Sequence, residues 1–200
     1  MNDKIASIKS GLRERLRARA REAAAARREE DSAQARALLA RQRVWQEAKA
    51  VLFYAPLPDE IDLLPLLERA LAEGKAVALP RYEAKAGCYA AYQIENFSRD
   101  CAPGKFGIPE PALRCPRMAL KRLDLTLVPG VGFDAAGHRL GRGKGHYDRI
   151  LAEAAGTRCG VGFDEQMAPE IPVAPHDVVM NCILTPTRWM EIPGPRPLLS

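Results

Sequence analysis

Residues 127–149 read Leu-Val-Pro-Gly-Val-Gly-Phe-Asp-Ala-Ala-Gly-His-Arg-Leu-Gly-Arg-Gly-Lys-Gly-His-Tyr-Asp-Arg. Residues 123–128 are apolar enough for a buried strand, and Pro129-Gly130 closes it. A glycine-rich loop follows, then a helical pattern over 147–155. Strand, loop and helix in that order put the loop at the carboxyl end of a strand, where open α/β sheets collect ligands. Gly141, Gly143 and Gly145 alternate with Arg142 and Lys144. Such glycines take positive φ angles and bring backbone N–H groups close to a ligand, while the next helix aims its N-terminus at the same place. Together they form an anion cradle, and Arg142 and Lys144 add the positive charge that a transferring phosphoryl group needs. Gly145 after Lys144 excludes a Walker A loop, and His146 excludes GxGxxG. Asp148 reads either as an acid favoured by the helix dipole or as a Mg²⁺ ligand beside phosphates. Asp177, ahead of a strand expected over 178–184, is the second candidate carboxylate.

Strands at 51–55, 76–79 (closed by Pro80), 89–94 and 159–163, with a helix at 62–72, surround this unit. Their alternation predicts an α/β fold with a largely parallel sheet and helices on both faces. A chain of 200 residues, 47% apolar and 28% charged, fits one domain with its own core. We expect residues 1–50 to be basic helices packed on it and residues 191–200, rich in proline, to be a frayed tail. The longest charge-free stretch, 178–187, is ten residues against the roughly 18 a spanning helix needs. No apolar export segment opens the chain, and its five cysteines form no CxxC pair, so a cytoplasmic protein with reduced thiols is expected. The three histidines show no zinc-ligand spacing.

Residues 1–50 carry a net charge of +6 and the remainder −1. This asymmetry raises a nucleic-acid reading. Arg13, Arg15, Arg17, Arg19 and Arg21 are spaced by two, however, so they divide between two sides of a helix, and no aromatics interleave them for base stacking. Ile5, Ile8, Leu12, Leu16, Ala20 and Ala23 step by three and four, the stripe of a docked amphipathic helix. Lys9 and Arg13 lie one turn apart at its edge, aimed at whatever the body binds. A second helix is expected from Asp31, with Gln34 as its capping partner.

The long loop resembles the 5-formyltetrahydrofolate cyclo-ligase family, through Pro129-Gly-Val-Gly-Phe-Asp134 and Gly137-x-Arg-Leu-Gly-Arg-Gly-Lys-Gly-x-Tyr-Asp-Arg149. Lys9-x-x-Leu-Arg13, Tyr54 with Asp59-Glu-Ile-Asp62, Leu79-Pro-Arg-Tyr82, Phe106-Gly-Ile-Pro-Glu-Pro111 and His176-Asp177 support it in the family's order. The resemblance implies cyclisation of 5-formyltetrahydrofolate to 5,10-methenyltetrahydrofolate, with Mg²⁺ as cofactor and ATP as co-substrate. By the same resemblance, Lys9, Arg13 and the run Arg139, Leu140, Gly141, Arg142, Gly143, Lys144, Gly145, His146 and Tyr147 bind ATP. Ala55 and Glu60 join residues 142–146 at the folate, Arg142 and Lys144 are catalytic, and Asp148 and Asp177 hold the metal. It implies small-molecule partners only, with neither nucleic acid nor membrane, and a monomer is our default. Two positions depart from the family pattern: His146 replaces a tyrosine, and Asn181 stands where a second acid is common. Two rivals remain, an α/β enzyme acting on a sugar phosphate or CoA ester, and a basic-arm nucleic-acid binder.

Overall fold

The structure is a computed structural model describing residues 2–104, 107–143, 145–175 and 177–193, with residues 2–4 as backbone only. Helices α1 (Asn2–Ala40) and α2 (Arg43–Glu47) precede β1 (Ala50–Leu52), α3 (Leu64–Ala72), β2 (Ala76–Glu83) and β3 (Cys88–Ile94). Next come α4 (Phe97–Asp100), the hairpin β4 (Cys101–Pro103) and β5 (Pro109–Pro111), and β6 (Leu125–Pro129). A small ribbon of β7 (Gly132–Phe133) and β8 (Arg139–Leu140) leads to α5 (His146–Glu153), β9 (Thr157–Val161), β10 (Cys182–Leu184) and β11 (Trp189–Glu191). The main sheet runs β11-β10-β9-β6-β1-β2-β3. From β10 to β2 every pairing is parallel, and β3 and β11 close the edges antiparallel.

The central strands are apolar on both faces, as a two-sided sheet demands. Val51, Val77, Leu125, Leu127, Cys159 and Leu184 face Ala20, Ala35 and Leu39 of α1, Trp45 of α2 and Leu67 of α3. On the opposite face Leu52 and Ala78 meet Ile150 of α5, and Val128 and Ile183 meet Leu151. The largely parallel α/β sheet with helices on both faces is therefore observed. Among the described residues no helix is long and apolar enough to cross a membrane.

Several details differ from expectation, each for a local reason. The break in α1 falls at Arg27 (φ −146°, ψ 16°), leaving Asp31 inside the helix, where its carboxyl faces Arg27. The bend lets Ala35 and Leu39 reach the same core as Ala20. Strand β2 continues through Pro80 to Glu83, because β1 stops opposite Ala78 and the proline nitrogen faces no ladder acceptor on that side. Strand β10 starts at Cys182; just before it, the Met180 N–H is drawn to Gly137 and the Asn181 N–H to Arg158. Glu191, expected in the tail, ends β11, and residues 194–200 lie outside the described chain. In α1 the inward stripe skips Ile8, 48% exposed, and takes Lys9, 9% exposed.

The family-like loop is built on two buried residues. The Phe133 ring lies flat against the ends of β6 and β9, where a Cβ on Gly130 or Gly160 would come within 2.6 Å of it. Asp134, 2% exposed, accepts hydrogen bonds from the backbone of Ala136, His138 and Ile171 and faces His138 Nδ1 at 2.9 Å. The turn that leads into β8 is thereby pinned.

Candidate active site

Strand β1 leads through α3 to β2 on one side, whereas β6 leads through α5 to β9 on the other. The order of the sheet thus reverses between β1 and β6, and their carboxyl ends open a crevice there. A cleft of about 760 Å³ occupies this place, a size suited to a drug-sized or cofactor-sized ligand. The start of α1 forms one wall, residues 139–143 and 145–148 another, residues 54–60 the floor, and Tyr89 with residues 108–110 the far side.

Every candidate site residue named above lines this one cleft, apart from Lys144, which lies outside the described residues. The flanking Gly143 (φ +97°) and Gly145 (φ +64°) take the left-handed conformations expected of the cradle and Gly145 starts α5, whereas Gly141, expected to share them, does not. Lys9 pairs with Asp177, whose carboxyl also accepts the Ala174 N–H. Arg13 donates from Nε to the Gly141 carbonyl at 2.8 Å, tying α1 to the loop. Arg139 reaches Asp148 at 3.0 Å and the Pro129 carbonyl at 3.2 Å, lies over the Tyr147 ring, and keeps a buried Nε with no hydrogen-bond partner. A second wall of charge forms across 83 positions of chain: Arg142 donates to Asp59 at 2.8 Å and Glu60 at 3.0 Å.

Glu60 is 7% exposed and held by the Leu57 N–H as well as Arg142. Burial pushes its carboxyl pKa up, and Arg142 only partly draws it back. Burial works against the Arg142 charge too, but Glu60 and Asp59 more than offset it, so its pKa is raised. Burial and Glu60 together lift the Tyr147 phenol far above its ordinary range, so it stays a neutral donor. His146 stands edge-on to Tyr89 and Tyr82, with ring centroids 5.0 and 6.0 Å apart. Asn181 accepts from Arg158 and is not among the cleft-lining residues. Its amide therefore leaves the acids facing the cleft unchanged.

Asp148 and Asp177 present hard oxygen donors to the same cleft as the anion cradle. That set suits Mg²⁺, which is usually held by one or two carboxylates and completes its shell with phosphate oxygens and water. Among the described residues no cluster of three or more His, Cys, Asp or Glu side chains forms a metal cage.

Two charged cleft residues escaped the sequence reading. Arg17 is the third rung of a ladder, Lys9, Arg13 and Arg17, spaced by four; its Nε is buried without a partner. Burial, then Arg142, depress its pKa. The spacing was the available signal, masked by the alternate arginines. Glu110, on β5, carried none beyond its place in the Phe106–Pro111 motif.

Comparison with known proteins identifies the family and the fold. The model of the 5-formyltetrahydrofolate cyclo-ligase family matches residues 5–186. A 5-formyltetrahydrofolate cyclo-ligase of Mus musculus is 30% identical over 202 residues, covering 90% of this chain and 94% of its own. One from Mycolicibacterium smegmatis is 37% identical over 146 residues, 70% of this chain and 75% of its own. The solution structure of the Aquifex aeolicus 5,10-methenyltetrahydrofolate synthetase superposes with a TM-score of 0.84 at 29% identity, covering 96% of this chain and 97% of that one. The fold, the loop and these relatives together place the chain in the 5-formyltetrahydrofolate cyclo-ligase family, as an enzyme.

Proposed function

We propose that this enzyme cyclises 5-formyltetrahydrofolate to 5,10-methenyltetrahydrofolate, consuming ATP in the presence of Mg²⁺ and releasing ADP and phosphate. The observation that carries the reading is one cleft with two chemically different ends. Lys9, Arg13, Arg139 and the glycine loop make an anion-binding end, and buried Glu60 beside Ala55 makes an acceptor end, with Arg142 joining them.

In this reading the loop and the α1 cations take the triphosphate, while Glu60 accepts pterin N–H donors. Arg142, steadied by Asp59 and Glu60, and Lys144 balance the charge on the moving phosphoryl group. The formyl oxygen attacks the γ-phosphorus and ADP departs. N10 then adds to the activated formyl carbon, the carbon–oxygen bond breaks, and the oxygen leaves within inorganic phosphate. The N10 proton is lost as the ring closes. Asp148 and Asp177 would hold Mg²⁺, which when bound neutralises phosphate charge. The protein's contribution is orientation and charge stabilisation. We place the enzyme in the cytoplasm as a monomer acting on small molecules, without nucleic-acid or membrane partners.

Lys9 and Arg13 in the cleft favour this reading over the sugar-phosphate rival, which has no use for them. Arg28, in the same basic N-terminal segment, donates to the Glu60 carbonyl at 3.0 Å and helps to dock α1, a use that a nucleic-acid arm would not make of it. The test is near-ultraviolet absorbance, where the methenyl product absorbs and the 5-formyl substrate does not. An ATP-dependent rise, lost in Lys144→Ala and Asp148→Ala, is expected. A folded protein giving no rise would refute the proposal.

A further inference from the structure

Glu110 is unexplained by the chemistry above. It projects from β5 into the far side of the cleft, 8% exposed. Oε2 accepts the Tyr82 N–H at 3.2 Å, whereas Oε1 is buried with no hydrogen-bond partner. The Tyr89 phenol lies beside this carboxyl, and burial first, then the charge of Glu110 and a hydrogen bond toward it, raise the phenol pKa to about 12. The Glu110 side chain needs a glycine beneath it: a Cβ at Gly104 would lie 2.6 Å from its Cγ and Cδ. A buried carboxyl with about four acceptor sites and, among the described residues, only Tyr82 and Tyr89 beside it keeps acceptor capacity for a donor that a ligand brings into the cleft.

The surroundings identify the donor. Tyr82, Tyr89 and His146 meet edge to face at centroid separations of 5.0–6.0 Å beside Glu110. This aromatic wall suits a ligand aryl ring. Glu60, at the floor, already answers the pterin donors in the reading above. In 5-formyltetrahydrofolate the N–H attached directly to the aryl ring is N10–H, at the atom that must close the new ring. We infer that Glu110 Oε1 accepts the hydrogen bond of N10–H and fixes rotation at the aryl amine, so that the N10 lone pair faces the formyl carbon. Glu110 is thus a second carboxylate of substrate recognition, acting on the nucleophile of the reaction while Glu60 acts on the pterin. The inference rests on the folate reading of the cleft.

The experiment compares Glu110→Ala and Glu110→Gln with the wild type. It measures steady-state cyclisation, and calorimetric binding of 5-formyltetrahydrofolate and of an analogue methylated at N10, without ATP. Loss of a hydrogen bond to a charged acceptor predicts a rise of about 10- to 100-fold in the folate KM and Kd of Glu110→Ala. The ATP KM should stay within about twofold on the same reasoning, because ATP does not reach this acceptor. Glu110→Gln has a single oxygen, which the Tyr82 N–H already engages, and turns an NH2 donor toward N10–H, so its folate Kd should rise toward that of Glu110→Ala. The N10-methylated analogue, lacking the N–H, should bind wild type and Glu110→Ala alike. Unchanged folate binding in a folded Glu110→Ala overturns the inference, as does wild-type binding in Glu110→Gln or an equal loss for the methylated analogue. An inactive wild type would instead refute the folate reading itself.

Discussion

Replacing Asp134 by alanine removes the acceptor that closes the turn before β8. Its two oxygens serve the backbone N–H groups of Ala136, His138 and Ile171 at 2.9–3.0 Å and face the His138 ring. Each buried hydrogen bond to a charged group contributes about 1.5–3 kcal/mol, and a buried donor left without a partner costs about 1–3 kcal/mol. Partial relaxation of the turn and entry of water reduce the simple sum, so a loss of about 3–5 kcal/mol is expected. For a domain of this size that is a fall of roughly 6–20 °C in Tm, at about 2–4 °C per kcal/mol. Urea unfolding followed by far-ultraviolet circular dichroism measures it, and cyclisation at a temperature where the variant stays folded shows the effect on Arg139. We expect the ATP KM to rise as well, since Arg139 follows the turn directly. A stability loss below about 1 kcal/mol would show that the turn holds its shape without the carboxylate, and would refute the reasoning.

Gly156→Ala should cost about 3 kcal/mol or more, because φ is +74° and a Cβ would meet the Asp124 and Leu123 carbonyls at 2.3 and 2.5 Å; a loss under 1 kcal/mol in urea would contradict this. Glu60 carries a raised pKa, so the folded chain holds a proton that the unfolded chain has already released. Its stabilising contribution is present below the ordinary carboxylate range and is lost as pH rises through the raised value. The stability of Glu60→Gln relative to wild type should therefore increase from acid to neutral pH, and thermal melts showing a flat or falling difference would count against it. Arg17→Ala should raise the ATP KM about fivefold, the effect of one modest hydrogen bond, with little change in Tm; an unaltered ATP KM would remove Arg17 from the site.

The parallel sheet was legible because β1 and β6 are apolar on both faces, a pattern that surface strands do not share. The loop was legible because three glycines and two cations alternate just past a strand. Periodicity failed where an inward position is polar: Lys9 replaces Ile8 in the docked stripe because its ammonium meets Asp177, 168 positions away. Pro80 read as a stop because its missing N–H harms a strand only where a neighbour awaits it, and where β1 ends was not visible locally. Glu110 and Arg17 owe their setting to tertiary neighbours, Tyr82 and Arg142, which no local window contains.

The account turns on direct activation of the formyl oxygen by phosphoryl transfer within one cleft. The most direct test is to supply 5-formyltetrahydrofolate labelled with oxygen-18 in the formyl group, together with ATP and Mg²⁺, and to weigh the released phosphate by mass spectrometry. The account predicts one label in each phosphate, in step with methenyl formation. Unlabelled phosphate, with the oxygen-18 recovered in water, would contradict it.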